Sequence, residues 1–336
     1  LGDKREIIIV RELCHRFVVT ENCNLDCPHC FNAEARDRDV MDADLYIKFI
    51  RENSHHLGDK RCLIMGGEPT LHPRIIEIIM ESTKHYQLVD LFTNGTRLNK
   101  IAKHPDIVRE HFKDKITYTI NGYAFDHVKY EEWRDFNKRL NLHFVITMWG
   151  YKEITQKMFK CMEYYPDVKY TISCDTQVDV FDEEVVKNYR KIYIDTLKKI
   201  IPELQGRGIE WGTDHSFPIC FYTQEMINEL NMIDLTNHHF GTTCCTCPKT
   251  GLINANWDFQ YCNQTRIKLG TVLKEDGSLK TMTELQNEYI TPSHKLKTEY
   301  IKNLREECRD CKAVSSCRVG CYYNALVEHS SKGRIR

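Results

Sequence analysis

Two spacings of apolar residues alternate along the first two thirds of the chain. Short runs rich in β-branched and aromatic residues fall at 15–20, 62–65, 88–93, 116–121, 142–148 and 168–174. Between them, apolar positions recur every three to four residues, over 42–57, 73–85, 98–112, 130–140, 153–164 and 182–205. The first spacing is that of a buried strand and the second that of a helix lying on a core. Asp42 and Asp182 stand where helix N-caps are expected. Six strand–helix units in series argue for a parallel sheet covered by helices. Six are too few for the closed eight-stranded barrel, so an open, partial (β/α)6 TIM-type barrel is expected. In such folds chemistry sits at the carboxyl ends of the strands. Downstream the rhythm breaks. Residues 214–240 read as an irregular bridge with one helix near 224–232, and a short hairpin (252–255 and 259–261) follows.

Length and charge refine this picture. A chain of 336 residues is large for one core, and the pattern divides it into 1–213, a bridge at 214–240, and 241–336. The net charge of −1 offers no basic footprint for nucleic acid or an anionic membrane. No apolar run approaches the roughly 20 residues that span a bilayer, and none near the start is long enough for a signal-peptide core. A cytoplasmic location is expected. In that reducing compartment the 16 cysteines point to metal binding rather than disulfides.

Three of those cysteines, Cys23, Cys27 and Cys30, lie on one short loop directly after the first strand. Three thiolates can hold three corners of a cubic iron–sulfur cluster, leaving one iron open for a small molecule; such clusters usually take four. On spacing alone a zinc site is the alternative, and it usually wants a fourth Cys or His nearby. After the second strand comes Gly66-Gly67-Glu68-Pro69-Thr70. It reads as a glycine-rich turn ahead of a helix.

The three-cysteine loop together with this turn resembles the radical S-adenosylmethionine (radical SAM) superfamily. The resemblance implies a [4Fe–4S] cluster on Cys23, Cys27 and Cys30, whose open iron chelates S-adenosylmethionine. It places Gly66, Gly67 and Glu68 against the cofactor's amino group and His29 near its adenine. His29 stands where Tyr or Phe is more usual. Thr93, Asn94 and Asn121, at the ends of the third and fourth strands, are implied to hold the ribose and methionine portions; the plainer reading makes Asn94-Gly95 and Asn121-Gly122 simple turns.

The last 93 residues carry eight further cysteines: Cys244, Cys245, Cys247, Cys262, Cys308, Cys311, Cys317 and Cys321. The final four, spaced C-x2-C-x5-C-x3-C, resemble the SPASM domain, a C-terminal extension that carries auxiliary [4Fe–4S] clusters. By that resemblance one cluster takes Cys244 (or Cys245), Cys247, Cys262 and Cys321, and a second takes Cys308, Cys311 and Cys317. No cysteine follows Cys321, so the second cluster borrows Cys245 or Cys220, keeps an open iron, or is missing. A pair of structural zinc sites is the bland alternative. Of the remaining thiols, Cys62 and Cys161 read as core residues. Cys174, at the end of the sixth strand facing the site and followed by Asp175, and Cys220 are candidate hydrogen donors; the plainer reading makes Cys174 an ordinary buried thiol, and Cys220 a ligand or site-wall residue.

The activity implied is reductive cleavage of S-adenosylmethionine to a 5′-deoxyadenosyl radical, which removes a hydrogen atom from a substrate C–H. An external donor of the flavodoxin or ferredoxin type is expected to supply the electron. SPASM resemblance points first to oxidative modification of a ribosomally made peptide, by crosslink, thioether or dehydrogenation. The cluster loop starts at Cys23, so a peptide-recognition module would come as a separate protein. The alternatives are a sugar or aminocyclitol dehydrogenase or epimerase, and a non-catalytic iron–sulfur electron carrier.

Overall fold

The computed structural model describes residues 14–27, 30, 39–54, 61–108, 114–127, 133, 139–175, 178, 182–214, 223, 225, 228, 251–260 and 268–290. Its frame is one ten-stranded sheet. Seven parallel strands run in chain order: β1 (Cys14–Thr20), β2 (Arg61–Gly66), β3 (Leu88–Thr93), β4 (Ile116–Asn121), β5 (Leu140–Ile146), β6 (Lys169–Cys174) and β7 (Trp211–Asp214). Their spatial order equals their sequence order. Crossovers between parallel strands share one hand. Stepping always in the same direction therefore stacks every helix on one face and leaves the other to curl around itself. That is the partial TIM-type barrel of the α/β class.

Among the described residues the helices between these strands are α1 (Ala43–Glu52), α2 (Ile75–His85), α3 (Leu98–Ala102), α4 (Pro105–Val108), α5 (Tyr151–Tyr164) and α6 (Glu183–Gly206). Asp42 caps α1, its carboxylate accepting from the N–H groups of Asp44 (2.8 Å) and Leu45 (3.0 Å). Asp182 caps α6 in the same way through Glu184 and Val185. Such caps satisfy donors that the first helical turn leaves open. The helical segments expected over 98–112 are α3 and α4 as far as residue 108, separated ahead of Pro105, which has no N–H to continue the ladder.

Strand alternation sorts the side chains between the two faces. Cys62 and Ile64 of β2, Val89 and Leu91 of β3, Tyr118 and Ile120 of β4, Leu142 and Phe144 of β5, and Tyr170 and Ile172 of β6 join the helices in one apolar core. The opposite, inner face carries Asp90, Thr117, Thr119, Asn121, Asn141, His143, Thr171 and Ser173. A closed barrel fills that space with branched apolar side chains. A polar inner face belongs to a barrel that opens onto a ligand or water.

Two features depart from the sequence reading. β5 starts at Leu140 and ends at Ile146, two residues earlier than expected at each end. β7 extends the series beyond six strands, pairing in parallel with β6 through Tyr170 and Trp211. The expected hairpin forms from β8 (Leu252–Ile253) and β9 (Asp258–Gln260), with β10 (Lys268–Thr271) added beyond it. It does not stand apart from the barrel: Ile253 pairs with Phe17 of β1, which continues the same sheet. Trp257 of the hairpin turn packs on Phe49 of α1, and α7 (Met282–Leu285) donates its first N–H to Asn53 at 2.7 Å. Among the described residues no helix is long and apolar enough to cross a membrane.

Candidate functional site

The carboxyl ends of β1, β2 and β3 meet around one buried carboxylate. Glu68 is fully buried, and both its oxygens are engaged. Oε1 accepts from the Thr70 N–H (3.0 Å), the Thr70 hydroxyl (2.5 Å) and the Thr93 hydroxyl (2.8 Å). Oε2 accepts from the Asn94 N–H at 2.6 Å. Burial pushes the Glu68 carboxyl above its usual range, and the bonds from Asn94, Thr70 and Thr93 pull it back. The four donors favour the ionised form and offset part of the rise that burial causes. Glu68 thus fastens the turn after β2 to the turn after β3.

The glycines before it serve a close approach. A Cβ on Gly66 would overlap the Thr20 carbonyl oxygen, and one on Gly67 would overlap the carbonyls of Glu21 and Asn22. With no side chain in the way, the Gly67 N–H donates to the Thr20 carbonyl (2.8 Å) and the Glu68 N–H to the Asn22 carbonyl (2.7 Å). The turn after β2 is thereby bonded to the start of the cysteine loop. A second tie runs from β3: the Asn94 amide donates to Asn24 Oδ1 at 2.9 Å, and the Asn24 amide to the Thr96 hydroxyl at 2.9 Å. Gly95 takes a positive φ of 76°, with its α-carbon against the Trp133 ring.

Cys23, Cys27 and Cys30 lie on this tethered loop, all half-buried and none in a disulfide. The Cys30 N–H donates to the Cys27 carbonyl at 3.0 Å. The Leu25 N–H points at the Cys23 sulfur at 3.4 Å. Among the described residues no three Cys, His, Asp or Glu side chains are gathered closely enough to hold a single metal ion. A four-iron cube makes no such demand, because each thiolate binds its own iron. Beside the loop, Tyr123 follows β4 in a short turn capped by the Asn121 side chain, which accepts the Tyr123 N–H at 3.1 Å. Burial raises the Tyr123 hydroxyl's pKa, and Cys27 is close enough to add a smaller push the same way.

A family model described as the radical SAM superfamily matches residues 17–230. The chain belongs to the radical SAM superfamily. Among curated relatives it is similar to a probable GTP 3′,8-cyclase of Pyrococcus abyssi, 29% identical over 116 residues, covering 34% of this chain and 36% of that protein. It is also similar to the antilisterial bacteriocin subtilosin biosynthesis protein AlbA of Bacillus subtilis, 29% identical over 123 residues, or 37% of this chain and 26% of that one. These matches span only about a quarter to a third of the relatives' own length. Among solved structures, that of Streptococcus suis SuiB bound to the precursor peptide SuiA superposes with a TM-score of 0.57 at 16% identity, over 94% of this chain and 73% of SuiB. That likeness is one of fold. Membership of a radical SAM family implies a [4Fe–4S] cluster and S-adenosylmethionine, and the donor set of three half-buried thiols on one loop fits the former.

The residues read from the sequence thus divide. Cys23, Cys27, Cys30, Gly66, Gly67, Glu68, Thr93 and Asn94 converge at the ends of β1–β3, and Asn121 stands at the end of β4. His29, Cys220, Cys244, Cys245, Cys247, Cys262, Cys308, Cys311, Cys317 and Cys321 lie outside the described residues. The expectation that Cys174 faces the site is corrected. It shares the helix-facing parity of Tyr170 and Ile172 and is buried in the core. Its neighbour is Tyr189, whose hydroxyl is held far above its usual pKa by burial first and by nearby Cys174 second. Asp175 is also buried, and its N–H donates to the Tyr189 hydroxyl at 2.7 Å. That hydroxyl in turn donates to the Ile146 carbonyl at 2.7 Å, clamping β5 to β6. The sequence reading missed Asn22, Asn24, Thr70 and Thr96, which fasten the loop and turns. Thr70 alone carried a signal, as the residue two after a glutamate at a helix-like start.

Proposed function

We propose that this chain is a radical SAM enzyme that oxidatively modifies a ribosomally made peptide. The observation that carries the first half is the bonding of a three-thiol loop at the end of β1 to the Gly66–Glu68 turn at the end of β2. In this reading Cys23, Cys27 and Cys30 hold the cluster, and Gly66, Gly67, Thr93, Asn94 and Asn121 border the cofactor, with His29 against its adenine. When bound, the cluster and S-adenosylmethionine supply a 5′-deoxyadenosyl radical that takes a hydrogen atom from a substrate C–H. The chain's own part is to hold and orient. Glu68 fixes two turns with one carboxylate, and the ties from Asn24 to Asn94 and Thr96 keep the cysteine loop over the barrel mouth. Rigid placement of this kind is what lets one C–H react in preference to others.

The peptide half is supported by the similarity to AlbA and by the SPASM-like cysteines. In that reading Cys244 or Cys245, Cys247, Cys262 and Cys321 hold one auxiliary cluster, and Cys308, Cys311 and Cys317 belong to a second. A flavodoxin- or ferredoxin-type protein donates the electron, and a separate protein presents the peptide. A small-molecule substrate is the second reading, supported by the similarity to GTP 3′,8-cyclases. The deciding experiment incubates anaerobically loaded protein, dithionite and S-adenosylmethionine with a synthetic peptide encoded beside the gene. Loss of hydrogen mass from the peptide, with matching 5′-deoxyadenosine, supports the reading; an unchanged peptide alongside turnover of GTP would replace it with the second.

A further inference from the structure

The residues gathered around the Glu68 carboxylate and the cysteine loop come from the ends of β1, β2 and β3, with Asn121 beside them on β4. The inner face of β5 and β6 contributes to none of that network, yet it is polar and organised. A hydrogen-bonded belt crosses the barrel low down. Arg61 lies 3.7 Å from Asp90, and the Thr119 hydroxyl donates to Asp90 at 3.0 Å. The Asn141 amide donates to Thr119 at 3.3 Å, and the Thr171 hydroxyl to Asn141 at 2.9 Å. These contacts link β2 through β6, so the belt works as a floor.

One rung higher, nearer the strand ends, His143 Nε2 and Ser173 Oγ are 2.6 Å apart. His143 pairs in register with Asn121 on one side and Thr171 on the other. It therefore stands on the inner face directly beside the last strand of the cofactor side. Its ring is half-buried, whereas Ser173 is fully buried and fixes the imidazole from behind. Phe92 of β3, two strands away on the same face, lies 6.4 Å from the ring between centroids.

The charge of this wall is informative. Among the described strand residues of β1–β7, the cations of inner parity are Arg16, Arg61 and Lys169, all in the amino-terminal halves of their strands. Arg61 is turned to Asp90, and Lys169 is paired with Glu210 at 2.8 Å. A triphosphate calls for Arg or Lys at hydrogen-bonding range, and among the described strand residues the upper wall offers Asn121, His143 and Ser173 beside the apolar Val18, Met65, Phe92 and Val145.

We propose that the inner wall of β5 and β6, centred on the His143–Ser173 pair, receives the reacting end of the substrate, and that it takes a neutral hydrogen-bonding group such as a peptide amide or side-chain hydroxyl. This rests on the enzyme reading above and assigns the substrate's side of the same mouth. Ser173 positions the ring; His143 touches the substrate.

Two measurements test it without knowledge of the substrate. The first treats the native, anaerobically loaded protein with diethyl pyrocarbonate and maps carbethoxylation of His143 by peptide mass. His143 is expected to react, to keep reacting under saturating S-adenosylmethionine, and to gain no protection from GTP. An inert His143, protection by S-adenosylmethionine, or protection by GTP would each overturn the assignment. The second grows His143→Leu and the parent protein on perdeuterated leucine and supplies dithionite and S-adenosylmethionine. In the variant one carbon–deuterium bond at position 143 breaks and one forms at the nucleoside's 5′ carbon; the unpaired electron stays on the side chain, and dithionite has supplied the electron that cleaved the sulfonium. The expected readout is a one-mass-unit shift in part of the 5′-deoxyadenosine, in excess of that from the labelled parent. Equal deuterium in both proteins would place position 143 beyond reach and sink the inference. No 5′-deoxyadenosine from the parent would instead sink the enzyme reading. Should His143→Leu fail to fold, the carbethoxylation of native protein still decides.

Discussion

Replacing Glu68 by Gln isolates the bond network on which the site is built. The side chain keeps its shape but loses its charge, and one of its two oxygens becomes a donor. Oε1 serves three donors and Oε2 one, so the amide nitrogen settles at the Oε2 position, opposite the Asn94 N–H. The two threonine hydroxyls can rotate to new partners, but a backbone N–H cannot. A bond to a charged group is worth about 1.5–3 kcal/mol, and a buried donor left unsatisfied costs about 1–3 kcal/mol. Because these overlap, Glu68→Gln should destabilise the protein by about 2–4 kcal/mol, and Glu68→Ala by at least as much. For a chain of this size that lowers Tm by roughly 3–6 °C. Thermal unfolding of the anaerobic protein by circular dichroism reads the shift, and iron retained after gel filtration reports the loosened cysteine loop. A Glu68→Gln variant within about 0.5 kcal/mol of the parent would refute the reasoning. It would mean that the carboxyl is already protonated, so that burial, which raises its pKa, outweighs the four donors.

Other outcomes follow from the same geometry. Gly66→Ala drives a methyl into the Thr20 carbonyl; overpacking of this sort costs about 1–3 kcal/mol, and denaturant unfolding should show it even without cluster. Glu81 is held at a pKa of about 2, chiefly by Arg51 and then by Lys84 and His85. Its contribution is therefore full above about pH 4.5 and is lost as pH falls toward 2; Glu81→Gln should flatten that acid limb, with about 0.5–1 kcal/mol lost at neutral pH because Arg51 is exposed. Cys174→Ala should leave deuterium exchange between solvent and any product unchanged while lowering stability, since its thiol lies in the helix-facing core; lost exchange with intact stability would restore it to the site.

Much of the architecture was legible because parallel strands buried on the helix side read as apolar runs, and the helices between them carry their own caps at Asp42 and Asp182. What was hidden has identifiable causes. β7 is only Trp-Gly-Thr-Asp, too short and too polar to show a spacing, and it exists because it completes the edge of β6. The start of β5 was masked by Leu140, an apolar residue that suits the end of a helical pattern as well as the start of a strand. The joining of β8 to β1 is a pairing across more than 200 residues, fixed by Phe17 and Ile253, and no local pattern reports it. At the site, the cysteines and glycines were visible as motifs. Their fastenings were not, because Asn22 acts through its carbonyl and Asn24, Asn94 and Thr96 act through contacts between distant turns. Cys174 was placed on the wrong face by one step of strand parity, the smallest error that reverses a side chain. His143 escaped notice because a histidine inside an apolar strand reads as an ordinary core residue until the register sets it beside Asn121.

In the proposed reaction, three thiolates on a loop bonded to the Gly66–Glu68 turn hold a cluster that cleaves S-adenosylmethionine. The most direct measurement gives anaerobically reconstituted protein S-adenosylmethionine and dithionite, and quantifies 5′-deoxyadenosine and methionine by mass spectrometry beside a Cys27→Ala variant. Equal amounts of both products from the parent and none from the variant are the outcome this account predicts. No 5′-deoxyadenosine from iron-loaded parent protein, or the same amount from Cys27→Ala, would contradict it.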